Sequence, residues 1–164
     1  MDKGFGKENL NTVKKSKKFL YRKLLEKALF AEKNKNLEEA SNIYKELYTL
    51  NIQNPVIFFN YGFLLERNDN YKKATEVYLK AISNFPNDPN FYNKLALVMR
   101  NQGNYKEAEK LFFKAIQVDK SFENGYINLG NLYVYKKNNK KAEEIYREVL
   151  RINRNSELGN LNLG

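Results

Sequence analysis

The chain has 164 residues, enough for one domain with a sizeable core, and 42% of them are hydrophobic. It contains no cysteine and no histidine, which excludes disulfide bonds, thiolate chemistry, imidazole bases and the usual zinc sites. The formal net charge is +10, and the acidic residues stand beside lysines at helical positions expected to face solvent. We therefore expect no enzyme activity, no metal and no cofactor. A cysteine-free chain suits a reducing compartment, so we expect a cytoplasmic protein.

The N-terminal stretch is basic, and most of the excess positive charge lies within residues 1–23. Residues 1–11 have two glycines and no helical periodicity, which predicts a disordered lead-in. From Thr12 apolar residues recur on one helical face, while four lysines between positions 14 and 18 occupy the other. We interpret residues 1–20 as a basic N-terminal extension that lengthens the first helix; contact with an anionic membrane or nucleic acid is the alternative. No stretch resembles a secretory signal or a membrane span.

From about residue 21 the sequence repeats with a period of 34 residues (Ala74 − Ala40 = 34). Three sets of positions define this period: an alanine, an aromatic residue four positions later, and a small residue. The alanines are Ala40, Ala74, Ala108 and Ala142; the aromatic residues are Tyr44, Tyr78, Phe112 and Tyr146; the small residues are Ala28, Gly62, Ala96, Gly130 and Gly164. Such a fixed period indicates a stack of identical structural units.

Each unit holds two amphipathic helical patterns separated by a polar break such as residues 68–70. Small residues let two antiparallel helices approach closely, and aromatic residues fill the wider gap between pairs. One pair cannot bury both of its faces, so neighbouring pairs must stack into a continuous core. We therefore predict an all-α fold, an α-solenoid of stacked antiparallel helix pairs.

The residues at these positions resemble the tetratricopeptide repeat (TPR) pattern. In one unit they are Phe58, Tyr61, Gly62, Leu65, Ala74, Tyr78 and Pro86. The resemblance covers residues 21–164 as about four repeats plus the start of a fifth. Their boundaries are about 21–54, 55–88, 89–122, 123–156 and a partial unit at 157–164.

The joins between repeats predict where helices begin. Asn54-Pro55 and Asp88-Pro89 each combine an N-cap acceptor with a proline at the first helical position. Around Ser121 and Ser156 the expected caps are serine hydroxyls. The last unit stops within a helix, so we expect either a fragment of a longer protein or self-association through an uncapped terminal helix.

A stack of this kind presents the first helix of each pair on its concave side, where side chains not needed for packing form a groove. The predicted peptide groove consists of Leu25, Leu29, Phe59, Asn60, Phe63, Asn93, Lys94, Leu97, Asn124, Asn128, Asn131 and Asn162. It is apolar towards the N-terminus and rich in asparagine further along. Asparagine amides match the donors and acceptors of a peptide backbone, and exposed aromatic side chains typically mark an interaction surface.

The resemblance implies a protein-interaction scaffold that binds a peptide or a partner helix in this groove. One alternative is the non-catalytic TPR region of a larger enzyme, because the column Asn60, Lys94, Asn128, Asn162 is similar to the asparagine-lined repeats of O-linked N-acetylglucosamine transferases. Nucleic-acid binding is the less favoured alternative, since the lysines are interspersed with glutamates.

Some members of the family hold the C-terminal carboxylates of chaperones through a clamp of basic and amide side chains. Leu25 and Leu29 occupy two of the corresponding places in this sequence, so the charge needed to hold a carboxylate pair is missing. We predict no binding of that type.

Overall fold

A computed structural model describes the backbone of residues 5–156 and the side chains of residues 18–156. This described part contains eight α-helices and no strand, which confirms the all-α prediction. The helices are α1 (Phe5–Lys33), α2 (Leu37–Thr49), α3 (Pro55–Arg67), α4 (Tyr71–Asn84), α5 (Pro89–Asn101), α6 (Tyr105–Val118), α7 (Glu123–Tyr135) and α8 (Asn139–Ile152). The chain divides into two compact units, residues 1–65 and 66–164. The predicted partial fifth repeat, with Asn162, lies outside the described residues.

Helix α1 is longer than the sequence predicts, because it begins at Phe5 instead of Thr12. The prediction of a disordered lead-in is therefore wrong for residues 5–11. Lysine, glutamate and leucine in this stretch are good helix formers, and no proline interrupts them. Gly6 lies in the first turn, where few intrahelical hydrogen bonds depend on it.

In the unit of residues 1–65, α1 and α2 pack as a pair, and Ala28 of α1 and Ala40 of α2 are both fully buried. Helix α2 contributes a buried stripe of Ala40, Ile43, Tyr44 and Leu47. The half-buried Tyr48 packs edge-on against Phe58 of α3, with ring centroids 5.7 Å apart. Lys27 occupies a column that is apolar in the later repeats; it is exposed and forms an ion pair with Glu39 at 3.0 Å.

The repeating columns continue in the unit of residues 66–164, where several of their members share one buried core. We call these columns, the alanines, the aromatic residues four positions on and the small residues, the seam. Its members Ala96, Ala108, Phe112, Ala142 and Tyr146 are at most 2% exposed and belong to a single hydrophobic cluster. Gly130 shows why a seam position must be small: a Cβ added there would lie 2.3 Å from Cε1 of Tyr146.

The turns inside the helix pairs also repeat. The residue before each second helix is an asparagine, and the residue before that asparagine has a positive φ angle: Lys35, Asp69, Gly103 and Lys137. The side chains of Asn36, Asn70 and Asn138 accept hydrogen bonds from backbone N–H groups in the first turn of α2, α4 and α8. These caps satisfy donors that a helix start leaves without intrahelical partners.

Two of the four predicted joins use side-chain acceptors as expected. Asn54 Oδ1 accepts from the Val56 N–H at 2.9 Å, and Asp88 Oδ1 accepts from the Asn90 N–H at 3.0 Å. The serine cap expected at Ser121 is wrong, because Phe122 is the residue before α7 and no side chain caps that helix, while the helix that Ser156 would cap lies outside the described residues. Ser121 Oγ donates to Asp119 at 2.7 Å, and Ser156 Oγ donates to Glu123.

Candidate functional site

The predicted groove residues lie on one side of the first helices, and we call this side the first-helix face. In the unit of residues 1–65 it carries Phe59, Asn60 and Phe63 on α3, together with Leu25 and Leu29 on α1. Phe63 is 37% exposed and Leu29 44% exposed, while Leu25, Phe59 and Asn60 are half-buried. This part of the face is mostly apolar, as the sequence predicts.

Asn60 belongs to a hydrogen-bonded network rather than facing solvent alone. Its Nδ2 donates to the hydroxyl of Tyr44 at 2.7 Å and to Oε2 of Glu32 at 3.1 Å. The Tyr44 hydroxyl in turn donates to Glu32 Oε2 at 2.8 Å. Burial, together with the neighbouring Glu32, raises the pKa of Tyr44 above its ordinary value. The hydroxyl of a tyrosine buried in the seam is thus bonded to polar side chains of the first helices.

The same network recurs one repeat later in the unit of residues 66–164. The wholly buried Tyr78 donates its hydroxyl hydrogen bond to Oε1 of Glu66, and Lys94 takes the place of Asn60. Burial raises the pKa of Glu66, although the bond from Tyr78 and the charge of Lys94 act in the opposite direction. Burial and the nearby carboxylate also raise the pKa of Tyr78. The charge of Lys94 therefore partly offsets the cost of holding the Glu66 carboxylate where it is poorly hydrated.

The asparagines of α5 and α7 are less accessible to a ligand than the sequence suggests. Asn93 is only 7% exposed, and its Oδ1 accepts a hydrogen bond from Asn128 Nδ2 at 2.9 Å. Asn131 Oδ1 accepts from the hydroxyl of Tyr146 at 2.6 Å. Asn93 is therefore buried beside Asn128, and Asn131 satisfies the hydroxyl of the buried Tyr146, while the role of both in a groove stays a prediction. Asn128 remains half-buried beside Asn93.

The other predicted residues of α5 and α7 differ in exposure. Asn124 is exposed, Lys94 is half-buried, and Leu97 is partly buried against the hydrophobic cluster of the seam. Among the residues the structure describes, no group of three or more acidic side chains is placed to hold a metal ion. Within that same part of the chain, every helix is too short or too polar to cross a membrane.

Sequence reasoning missed Glu32 and Glu66, which it placed among solvent-facing carboxylates. Each lies twelve residues before a seam tyrosine and bonds to its hydroxyl. This spacing of glutamate and tyrosine recurs one period later, and the recurrence was the signal that could have identified these pairs from the sequence. A third carboxylate, Glu109, accepts from Tyr133 at 2.7 Å and from Lys136 Nζ at 2.6 Å. Burial acts to raise the pKa of Glu109, but these two bonds and the charges of Lys136 and Lys141 together lower the pKa.

These paired helices, their seam and the turns between them define a helical-repeat protein of the solenoid class. Two tetratricopeptide repeat models match the sequence, one over residues 56–88 and the other over residues 87–155. The chain belongs to the tetratricopeptide repeat family. No curated protein shows significant similarity to it.

Several solved structures share this fold at low sequence identity. YrrB, described as a TPR protein with an unusual peptide-binding site, is 21% identical with a TM-score of 0.70, covering 82% of this chain and 69% of its own. MamA from Desulfovibrio magneticus RS-1, from residue 41 to its end, is 19% identical with a TM-score of 0.73, covering 84% and 77%. The first TPR domain of Spaghetti (RPAP3), bound to an HSP90 peptide, is 19% identical with a TM-score of 0.61, covering 68% and 88%.

Proposed function

We propose that this protein is a protein-interaction scaffold whose first-helix faces bind a segment of a partner protein. The observation that carries the proposal is the pair Phe59 and Phe63 on α3. Tyr61 and Gly62 next to them are buried, whereas Phe63 is 37% exposed and Phe59 half-buried on the first-helix face. Aromatic side chains that are partly shielded by their surroundings are typical anchors of binding energy.

The unit of residues 66–164 offers a different, polar surface. Asn124 is exposed, and Asn128 and Asn131 each place an amide on α7. Asn131 binds Tyr146 through its carbonyl oxygen, and no partner for its Nδ2 occurs among the described residues. An amide N–H in this position suits the carbonyl groups of an extended peptide. We therefore propose that the face of residues 1–65 anchors partner side chains and that the face of residues 66–164, as a separate surface, contacts a peptide backbone.

The related structures support the general idea without identifying the ligand. YrrB is described as peptide-binding, and the RPAP3 domain was solved with the HSP90 peptide SRMEEVD. For this chain we propose an internal segment rather than a C-terminal tail, because Leu25 and Leu29 stand where a carboxylate clamp needs polar and basic groups.

The experiment starts from a random peptide library displayed on phage and selected on the immobilised protein. The affinity of a selected peptide is then measured by titration calorimetry for the wild type and for Phe63→Ala. We expect Phe63→Ala to lose about 2 kcal/mol, which is roughly thirtyfold in Kd. Phe113→Ala is the matched control, because Phe113 is 41% exposed on the second helix of a pair. It should leave the affinity unchanged.

Two results would contradict the proposal. One is a peptide whose affinity survives both Phe59→Ala and Phe63→Ala. The other is binding that disappears when Lys14, Lys15, Lys17 and Lys18 are neutralised together but not when either phenylalanine is changed. That second result would place the interaction on the basic N-terminal stretch.

A further inference from the structure

A second surface of α1, separate from the first-helix face, exposes large apolar side chains. Phe19 is 72% exposed, Phe30 is 66% exposed and Leu20 is 51% exposed. Helical periodicity puts Phe19, Lys23 and Phe30 on one side, with Leu20 and Lys27 at its edge. We call these five residues the α1 outer face. Single exposed apolar residues are ordinary, but an apolar cluster on one helix face indicates an interaction surface.

The positions equivalent to Lys23, Lys27 and Phe30 are buried in every later first helix, whereas those equivalent to Phe19 and Leu20 lie in the joins before these helices. Phe30 corresponds to Leu64, Val98 and Leu132, which are all at most 2% exposed. Lys27 corresponds to Tyr61, Leu95 and Leu129, at most 4% exposed. A first helix of this protein therefore normally has this side covered, and on α1 it is open to solvent.

What covers this side in the unit of residues 66–164 is the second helix of the preceding pair. Helix α4 packs on α5, and α6 packs on α7. Phe91, which corresponds to Lys23, stacks on Phe85 with ring centroids 5.8 Å apart. A Cβ on Gly125, the next position in that column, would lie 3.1 Å from Ile116 of α6. The natural occupant of such a surface is an amphipathic helix.

The charge of the α1 outer face restricts which helix it can accept. Lys23 and Lys27 replace the apolar residues found here in α5, and Lys18 and Arg22 lie close by in sequence. Lys27 pairs with Glu39, whereas Lys18, Arg22 and Lys23 take part in none of the ion pairs among residues 18–156. Helix α6 carries Lys106, Lys110 and Lys114, so a helix of that composition would bring more positive charge to this basic surface. Opposite charges steer and orient a partner, whereas like charges disfavour it.

We propose that the α1 outer face docks an acidic amphipathic helix of a partner protein. Phe19 and Phe30 are about 16 Å apart along the helix axis, which corresponds to about three turns of a facing helix. The partner helix would insert apolar side chains between the two phenylalanines and place carboxylates opposite Lys23 and Arg22. This mode is the packing of an apolar helix stripe into a groove with a charged rim.

The test uses two synthetic peptides, each labelled with fluorescein and titrated with the full chain by fluorescence anisotropy. One has the sequence of α6, residues 105–118, and the other has glutamate at positions 106, 110 and 114. We expect the acidic peptide to bind about tenfold more tightly than the α6 peptide. Phe30→Ser should weaken the acidic peptide by about tenfold or more, because an aromatic anchor is lost. Lys23→Glu should reduce the ratio of the two affinities or make the α6 peptide the tighter ligand.

The control is Phe113→Ser, which removes an exposed phenylalanine elsewhere and should leave both affinities unchanged. Circular dichroism of each variant checks that the helices are retained. Equal binding of the two peptides, no saturable binding of the acidic peptide, or equal effects of Phe30→Ser and Phe113→Ser would overturn the proposal. Phe63→Ala should not affect this binding, so failure here is distinguishable from failure of the first-helix face.

Two further measurements separate other occupants from a partner helix. Flotation with phosphatidylserine vesicles that depends on Phe30, without binding of the acidic peptide, would assign the face to a membrane and refute the proposal. Sedimentation equilibrium that shows a dimer lost in Phe30→Ser, again without peptide binding, would assign it to a second copy of the chain and also refute it.

Discussion

The seam and the first-helix face differ in how much they change from one repeat to the next. Along the seam the residue type is kept: alanine at positions 40, 74, 108 and 142, and an aromatic ring four residues later. On the first-helix face the corresponding positions change chemistry, from Asn60 to Lys94 to Asn128 and from Phe63 to Leu97 to Asn131. The seam residue must fit a fixed gap, as Gly130 against Tyr146 shows. The face carries no such restriction, so differences between repeats can accumulate there.

Tyrosine hydroxyls connect the two regions. Tyr44, Tyr78 and Tyr146 are buried in the seam, and each donates a hydrogen bond to a polar group of a first helix. The third repeat has Phe112 in this column and has no hydroxyl to satisfy. At three of the four aromatic positions, a residue buried in the seam is therefore also bonded to a polar group of a first helix. The following predictions test where the boundary lies.

The largest effect is expected inside the seam. Ala108 is fully buried in the cluster with Ala96 and Phe112, so Ala108→Leu should overpack it and cost about 1–3 kcal/mol of unfolding free energy. Urea denaturation followed by circular dichroism measures the change. Lys114→Leu adds the same side chain at an exposed position of the same helix and should have little effect. Equal midpoints for Ala108→Leu and the wild type would show that the helices are not in tight contact there.

The next effect concerns the hydroxyls that cross from the seam to the face. Tyr78→Phe leaves the half-buried Glu66 without its donor and should cost about 1–3 kcal/mol. Tyr44→Phe should cost less, about 1 kcal/mol, because Asn60 still donates to Glu32. Tyr135→Phe is the control, since Tyr135 is 64% exposed. A larger loss in Tyr44→Phe than in Tyr78→Phe would mean that Lys94 fully compensates Glu66.

A smaller effect separates two asparagines of α7 that the sequence places in the same groove. Asn131→Ala removes the acceptor of the buried Tyr146 hydroxyl and should cost about 1 kcal/mol of stability. Asn124→Ala should change stability by less than about 0.5 kcal/mol, because Asn124 is exposed. Denaturant titrations of both variants measure the difference. If the two variants are equally stable, the bond to Tyr146 contributes nothing to folding.

The smallest effect is a pH dependence with opposite signs at two carboxylates. The pKa of Glu66 is raised above its ordinary 4.5, so its contribution to stability is present below 4.5 and is lost as pH rises through the folded value. The pKa of Glu109 is lowered, so its contribution is present above 4.5 and is lost as pH falls through the folded value.

Unfolding free energies from about pH 3 to about pH 7 measure both slopes, with Glu66→Gln and Glu109→Gln as the non-titrating references. Relative to Glu66→Gln, the wild type should lose stability as pH rises. Relative to Glu109→Gln, it should gain stability. Two slopes of the same sign would show that Glu66 is well hydrated.

The sequence predicts the seam well, because a fixed spacing of small and aromatic residues allows only one kind of helix pairing. Ala108 lies in the seam cluster where the period puts it, and Gly130 lies against Tyr146 of that cluster. The first-helix face is predicted only in part. Periodicity places Asn93 and Asn131 on the correct side of α5 and α7, but it does not show that neighbouring side chains use their oxygens. Such bonds depend on distances between repeats, which a pattern within one helix does not contain.

The repeated turn has a consequence for the history of the chain. A residue with positive φ followed by a capping asparagine occurs at 35–36, 69–70, 103–104 and 137–138, always at the same place in the period. A duplication or deletion of one full period between two such turns would join one turn to an equivalent turn. Each new junction would keep its capping asparagine, and the alanines of the seam would keep their 34-residue spacing. Copy number in this protein can therefore change by whole units without a new turn having to evolve.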